Sequence, residues 1–313
     1  MRRRAFTLVE LLVVIAIIAL LMGILMPALA RVRILAYRLT CGTNLSGLGK
    51  AMMLYSNDFD GELPKAGARQ NTWVVGLPDW TGGATSTLIG GSRQKAYGLT
   101  GAGSTGRVTL SASWYLLVKY AECTPKMFVC KGESDTRVAD LRPNPQQGLP
   151  DIQSYWDFSS GAAGQESWRF YSYAYHAPFG AYALTTSCDA GMAVGADRNP
   201  WYTGTDETAI ASRFSAFKPD LVGYPAIGTA DEAKKGNSDA HQQEGQNVLY
   251  LDGHVEFEKR SYVGLENDNI YTQHGTSGGT VDRVKGILPT TRTAVEPANR
   301  QDSYLVNDPP KVR

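Results

Sequence analysis

Two histidines and an aspartate near the carboxyl end of the chain are the residues whose types suggest metal or acid–base chemistry. His241 precedes Asp252 and His254, and residues 252 and 254 share a face if they lie in a strand. Imidazole and carboxylate groups bind zinc or exchange protons, but the spacing fixes no further ligand. Turn geometry explains Asp252 equally well, because Gly253 follows it. We therefore predict no metal site and no catalytic residue here.

The element that positions these residues is predicted to be a β-hairpin. Two runs that alternate apolar and polar residues flank Asp252 and Gly253 within residues 247–258. Asp-Gly favours a type I′ turn, which needs a positive φ at both central residues. Leu249 and Phe257 are among the apolar side chains that the hairpin would pack against a helix.

Four cysteines are too few for a disulfide scaffold, and their spacing matches no zinc motif: Cys41, Cys123, Cys130 and Cys188. Six residues separate Cys123 from Cys130, so these two form a disulfide if the chain turns back between them. A bridge between Cys41 and Cys188 is equally open.

Composition and the lack of motifs exclude several classes of function. The chain has 313 residues with 31 basic and 30 acidic side chains, and a net charge of +1 gives no reason to expect a nucleic-acid partner. The sequence contains no serine-nucleophile, phosphate-loop or zinc-protease motif. We therefore predict that the protein is not an enzyme and needs no cofactor.

The amino-terminal segment is predicted to cross a membrane. Basic residues 2–4 precede an apolar run, which marks the cytoplasmic end, and Leu11–Ala30 are twenty uncharged residues, enough for a core of about 30 Å. Glu10 is the only charged residue between Arg4 and Arg31. A carboxylate within a membrane helix costs about 2.5–3.5 kcal/mol, so a plain membrane anchor leaves Glu10 unexplained.

A cleaved secretory signal peptide is an alternative interpretation of the same segment. It shares the basic start and the apolar core, and Ala28-Leu29-Ala30 has the form of a cleavage site. However, the apolar run is long for a signal peptide, and Glu10 lies where such a core is apolar.

Residues 5–10, AFTLVE, resemble the processing site of type IV prepilins and type II secretion pseudopilins. The resemblance implies that prepilin peptidase cuts between Ala5 and Phe6 and that Phe6 becomes N-methylated. Glu10 is then the fifth mature residue, which in the family pairs with the new amine of a neighbouring subunit and sets the stagger of helices in a filament. Pro27 falls where the family commonly has proline, whereas Ala5 replaces the usual glycine.

A second resemblance covers the predicted hairpin. The stretch GQNVLYLDGHVEF is similar to a carboxyl-terminal motif of pseudopilin-like proteins, usually written as His, nine residues and Asp-Gly. Here ten residues separate His241 from Asp252 and Gly253. Because some major pseudopilins bind calcium, a calcium ion near Asp231, Glu232 and Asp239 is a further alternative, although nothing there resembles an EF-hand.

The sequence and the resemblance together predict an α+β, pilin-like fold: a long amino-terminal helix, transmembrane in its first half, packed on a small antiparallel sheet domain with long loops. The predicted divisions are a leader 1–5, a membrane or filament-core helix 6–30, an extracytoplasmic helix 31–60, a globular domain 61–289 and a flexible tail 290–313. The resemblance implies a single-pass bacterial inner-membrane protein with a cytoplasmic amino terminus. Its implied partners are prepilin peptidase, other pilin or pseudopilin subunits and the inner-membrane assembly machinery.

The alternative function is a membrane-anchored extracytoplasmic binding protein, with carbohydrate as one candidate ligand, that uses a prepilin-type leader. Aromatic side chains in such a domain are more often part of the core than of a binding surface. The candidates for such a surface are Trp73, Trp80, Trp114, Trp156, Trp168 and Trp201.

Overall fold

The predicted α+β, pilin-like class is confirmed by a computed structural model of the chain, in which one long helix precedes an antiparallel sheet domain. The structure describes residues 8–66, 110–133, 135–139, 141, 151–155, 157–158, 167–178, 182, 184–202, 206–277, 280–288 and 296–308.

Helix α1 spans Leu8–Asp58, about 75 Å at 1.5 Å per residue. It continues through the weak helix formers at residues 41–44 and ends where the sequence predicts. After Asp58 the chain enters the left-handed region at Asp60 and Gly61, with φ of 52° and 78°. The Gly61 amide then donates to the Ser56 carbonyl at 2.8 Å, which closes the last turn.

The two halves of α1 have different surroundings. Side chains of the apolar first half are exposed, whereas residues of the second half bury one stripe at three- and four-residue steps. The large buried side chains of that stripe are Cys41, Leu45, Leu48, Met52 and Tyr55. The same spacing at Val32, Leu35 and Leu39 buries nothing, so the domain covers only the distal part of the helix.

A five-stranded antiparallel sheet with strand order β4-β3-β2-β1-β7 forms the centre of the domain. Its strands are β1 Tyr173–His176, β2 Ala193–Asp197, β3 Gln246–Tyr250, β4 Val255–Glu258 and β7 Leu305–Val306. A separate two-stranded antiparallel sheet pairs β5 Gln273–Ser277 with β6 Thr280–Ile287. The other α-helices are α2 Leu110–Tyr120, α3 Glu207–Ala216 and α4 Ala230–Lys234.

Both faces of the central sheet are covered. Neighbouring residues of a strand point to opposite faces, and here they belong to two different cores. Leu249 of β3 belongs to the larger core with α1 and α2, and Val248 belongs to a second core on the other face. Trp114 of α2 fixes the first core by donating its indole N–H to the Tyr173 carbonyl at 3.1 Å. Burial on both faces explains why the central strands β1, β2 and β3 are buried along their length.

The predicted hairpin is present, but its turn differs from the prediction. Strands β3 and β4 pair with Leu249 opposite Val255, and the Gly253 amide donates to the Tyr250 carbonyl at 2.9 Å. Only Gly253 has a positive φ, of 90°, and Asp252 does not. The connection is therefore a three-residue loop with glycine in the left-handed position, not a two-residue type I′ turn.

The prediction of a flexible tail at 290–313 is wrong for residues 296–308. Leu305 and Val306 form the edge strand β7 beside β1 and are fully buried. Asp308 accepts hydrogen bonds from the amides of Leu110 and Ser111, at 2.9 and 3.1 Å, so the tail caps helix α2. Polar composition misled the prediction because these polar side chains satisfy buried backbone groups. The remaining predicted divisions stay predictions.

Candidate functional site

The predicted processing and assembly residues lie at the start of α1. Ala5 and Phe6 fall outside the residues that the structure describes. Glu10 is in the first turn of α1 and is exposed, and Pro27 lies within the helix. The apolar first half of the helix thus carries its one acidic residue at the end nearest the predicted cleavage site.

The first half of α1 presents an apolar surface on all sides. Leu8, Ile17 and Leu25 are 77%, 52% and 63% exposed, and no side chain of the most apolar stretch is buried by the domain. By length and composition this helix can cross a membrane. An apolar cylinder without a covering needs lipid or other helices around it.

A disulfide joins α1 to the domain, and it corrects the predicted pairing. Cys130 bonds to Cys41, with a Cα–Cα distance of 5.6 Å, and not to Cys123. Cys130 follows the 3₁₀ turn Pro125–Phe128 and faces the helix, whereas Cys123 is a buried free thiol beyond the end of α2. Burial raises the pKa of the Cys123 thiol to about 11, so the reactive thiolate is suppressed. Cys188 is also free.

A buried polar group surrounds this disulfide. His241 Nε2 lies 3.2 Å from Asp197 Oδ2, which also accepts hydrogen bonds from the backbone amide and side-chain Nδ2 of Asn247 at 2.6 and 3.1 Å. The sulfur, nitrogen and carboxylate atoms of Cys41, Cys130, Asp197 and His241 all lie within 4.8 Å of one another. Cysteine binds metals as the thiolate, and both sulfurs here are in a disulfide. We therefore assign this arrangement a structural role, in which it joins α1 to the sheet.

Close backbone approach completes the junction. A Cβ at Gly132 would lie 2.6 Å from the Ala240 carbonyl oxygen, so a larger residue cannot fit without moving the loop that carries His241. At the helix–sheet contact, a Cβ at Gly49 would lie 2.6 Å from Leu249 Cδ1. Small residues therefore set the distance between α1 and the domain.

A groove of about 430 Å³ opens beside the junction. Helix α1 lines it from Met26 to Tyr37, and Gly132, Ala240 and Gln242 line its other side. Arg33 introduces a positive charge where the apolar run ends. The domain therefore faces the helix from the carboxyl end of the segment that can cross a membrane.

The structure does not bring His241 together with Asp252 and His254. His241 lies before β3 and the other two follow it, so the length of the strand separates them. His254 hydrogen-bonds to Asp252 on the surface and stacks on Tyr250 at 4.4 Å. The hydrogen bond from the His254 backbone amide lowers the pKa of Asp252, and the hydrogen bond from the His254 side chain lowers it further. This pair stabilises the turn.

Two of the three carboxylates considered for calcium, Glu232 and Asp239, form contacts with other protein groups. Glu232 completes a capping box with Thr229 at the start of α4 and pairs with Lys218 at 2.8 Å. Asp239 pairs with Arg213 at 2.8 Å. These contacts direct both carboxylates to protein groups instead of towards a shared ion.

Comparison with known families identifies the amino-terminal segment. The family model described as the prokaryotic N-terminal methylation motif matches residues 1–26. No curated protein and no solved structure gives a significant match. The motif indicates a prepilin-type leader, and together with the long apolar helix it fits a type IV prepilin-like protein.

Sequence reasoning missed Asp197 and Asn247 at the junction, as well as the Cys41–Cys130 bond. The position of Cys41 in the buried stripe of α1, four residues before Leu45, is a sequence signal that it faces the domain. Asp197 and Asn247 carry no such signal, because a strand end and a strand start that are 50 residues apart meet only in the folded sheet.

Proposed function

We propose that the protein is a structural, non-enzymatic subunit, a pseudopilin or minor pilin precursor of a type IV pilus-like or type II secretion filament. The observation that carries this proposal is the methylation motif at residues 1–26 at the head of a helix whose apolar surface the domain leaves exposed. Such a surface suits a segment that lies in the membrane before assembly and among other helices after it.

In this proposal prepilin peptidase removes residues 1–5 on the cytoplasmic face of the inner membrane. The cut creates an α-amine on Phe6, which is cationic at neutral pH in water. In the filament this ammonium compensates Glu10 of a neighbouring subunit, because each charge alone is costly in an apolar medium. The assembly machinery of the inner membrane then extracts the subunit into a periplasmic or surface filament.

The experiment compares Glu10→Ala with Val9→Ala, an exposed apolar neighbour on the same turn. Both variants should insert in the membrane and lose the leader normally. Glu10→Ala should be depleted at least tenfold from sheared filaments or cross-linked oligomers, consistent with about 2.5–3.5 kcal/mol for an uncompensated charge. Val9→Ala should assemble as the wild type does. Normal assembly of Glu10→Ala would refute the ion-pair mechanism.

Amino-terminal sequencing of the mature protein tests the processing step separately. A start at N-methylated Phe6 supports the proposal, and a start at Arg31 would instead mean cleavage as a secretory signal peptide.

The alternative of an aromatic binding surface gains no support from the described tryptophans. Trp114 and Trp201 are buried in the two cores, at 0% and 3% exposure, and the half-buried Trp168 packs against the guanidinium groups of Arg169 and Arg198. Trp73, Trp80 and Trp156 fall outside the described residues.

A further inference from the structure

Three ionisable side chains meet inside the domain, away from the helix junction. Asp268 follows the 3₁₀ turn Leu265–Asn267, His274 lies in β5, and Asp302 precedes β7. Both aspartates are fully buried, and the His274 side chain is 4% exposed. One ligand atom from each residue lies within 4.8 Å of the other two.

The two carboxylates have the same arrangement. Each uses Oδ2 to accept backbone amides: Asp268 from Ser303 at 2.7 Å, and Asp302 from Ala298 at 2.6 Å. Each directs Oδ1 towards His274 Nε2, at 2.9 Å from Asp268 and 3.9 Å from Asp302. Backbone amides therefore hold both carboxylates with one oxygen facing the imidazole.

One of these inward oxygens lacks a hydrogen bond. Asp302 Oδ1 is buried without a donor within the described part of the chain, and so is the hydroxyl of the adjacent Ser303. A buried acceptor without a partner costs about 1–3 kcal/mol. This oxygen therefore indicates a further ligand that satisfies it.

The charge of the cluster is also incomplete. Among the described residues, His274 is the only basic side chain within 4 Å of either carboxylate. Two buried carboxylates and one imidazole thus leave negative charge that a bound cation would neutralise.

We propose that Asp268, His274 and Asp302 bind a divalent transition-metal ion of the zinc type, with Asp268 Oδ1, Asp302 Oδ1 and His274 Nε2 as ligands. An imidazole nitrogen with two carboxylates suits zinc, whereas calcium takes six to eight oxygen ligands. The ion links β5 to the segment that carries β7.

The hydrogen bonds of Asn299 make this proposal more specific. Asn299 Nδ2 lies 2.9 Å from His274 Nδ1, while Asn299 Oδ1 accepts the Gln301 amide at 2.8 Å. In this arrangement His274 Nδ1 accepts from Asn299, and His274 Nε2 donates to Asp268. A metal on Nε2 requires the ring proton on Nδ1 and an acceptor beside it, so zinc binding to the wild type breaks the Asn299–His274 hydrogen bond. An aspartate at position 299 supplies that acceptor and still accepts the Gln301 amide.

The test uses the full chain, purified in detergent without a histidine tag and freed of metal with a chelator. Titration calorimetry with zinc chloride should show one ion per chain with micromolar or tighter affinity, and zinc should raise the Tm more than calcium chloride does. Asp302→Asn should weaken binding at least tenfold. Asn299→Asp should strengthen it about 10–100-fold, the usual scale for groups that orient a metal-bound histidine.

His254→Gln is the control, because it removes the exposed histidine of the turn and leaves the buried cluster intact. It should bind zinc as the wild type does. The proposal is overturned if the wild type binds no zinc, if calcium stabilises it more than zinc does, or if Asn299→Asp fails to increase zinc affinity. The last variant adds a group instead of removing one, so a failure to fold in Asp302→Asn leaves the test intact. None of these outcomes depends on filament assembly.

Discussion

Replacing Cys41 and Cys130 with alanine should lower the free energy of unfolding of the domain by about 4–5 kcal/mol. The bond closes a loop with a sequence separation of 89 residues. In the chain-entropy model a cross-link of this length removes about 15 cal/mol/K from the unfolded chain, which gives this value at 25 °C. Alanine is the appropriate replacement because both sites are fully buried, and a serine hydroxyl there would need a partner.

The assay is urea unfolding of the full chain in detergent, followed by fluorescence of the buried Trp114 and Trp201. Cys123→Ala is the matched control, because it truncates a buried cysteine that carries no cross-link. It should cost about 1 kcal/mol, the scale expected for losing a small buried group. The difference between the two variants measures the cross-link, and a reducing agent should destabilise the wild type towards the double variant.

Two results would refute the reasoning. One is a double variant whose stability equals that of Cys123→Ala, since the cross-link would then contribute nothing. The other is alkylation of Cys41 and Cys130 in the folded, oxidised wild type, because a disulfide has no thiol to alkylate.

Two further variants test the packing of the helix and the burial of a histidine. Gly49→Val should cost about 1–3 kcal/mol in urea unfolding, because its side chain would collide with Leu249, whereas Val at the exposed neighbour Lys50 should have little effect. Burial lowers the pKa of His176 to about 4. The contribution of His176 to stability should therefore be constant above pH 6.5 and fall by up to about 3 kcal/mol as pH drops from 6.5 to 4; in His176→Asn this part of the pH dependence should disappear.

Local patterns in the sequence were sufficient to predict those elements whose structure depends on neighbouring residues alone. The polar and glycine residues after Asn57 predicted the end of α1, and alternation around Asp252 and Gly253 predicted the hairpin. Patterns failed where short segments are held by distant partners. Residues 127–130 and 220–230 have apolar patterns that favour short strands, but the first is partly a 3₁₀ turn and the second forms turns. Asp220 there accepts from Arg260, a contact that no local pattern contains.

The candidate sites show the same division. The methylation motif is contiguous, so the sequence alone revealed it. The cluster of Asp268, His274 and Asp302 is assembled from two loops and a strand, and nothing in their spacing indicates that they meet. Long-range contacts also account for the buried tail, where the Leu305 amide donates to the Ile270 carbonyl. The sequence around Leu305 alone predicts only a loop.

The Cys41–Cys130 bond also determines how the molecule responds to tension along α1. The first buried residue of α1 that a pull on the helix reaches is Cys41, the membrane-proximal end of the buried stripe. Because the bond is covalent, the helix cannot peel away there, and force passes directly to the loop at Cys130. The 89-residue segment between the two cysteines, about 30 nm when fully extended, therefore cannot be pulled out while the disulfide is intact. In the proposed role as a filament subunit, the molecule would thus transmit force as a short, stiff element.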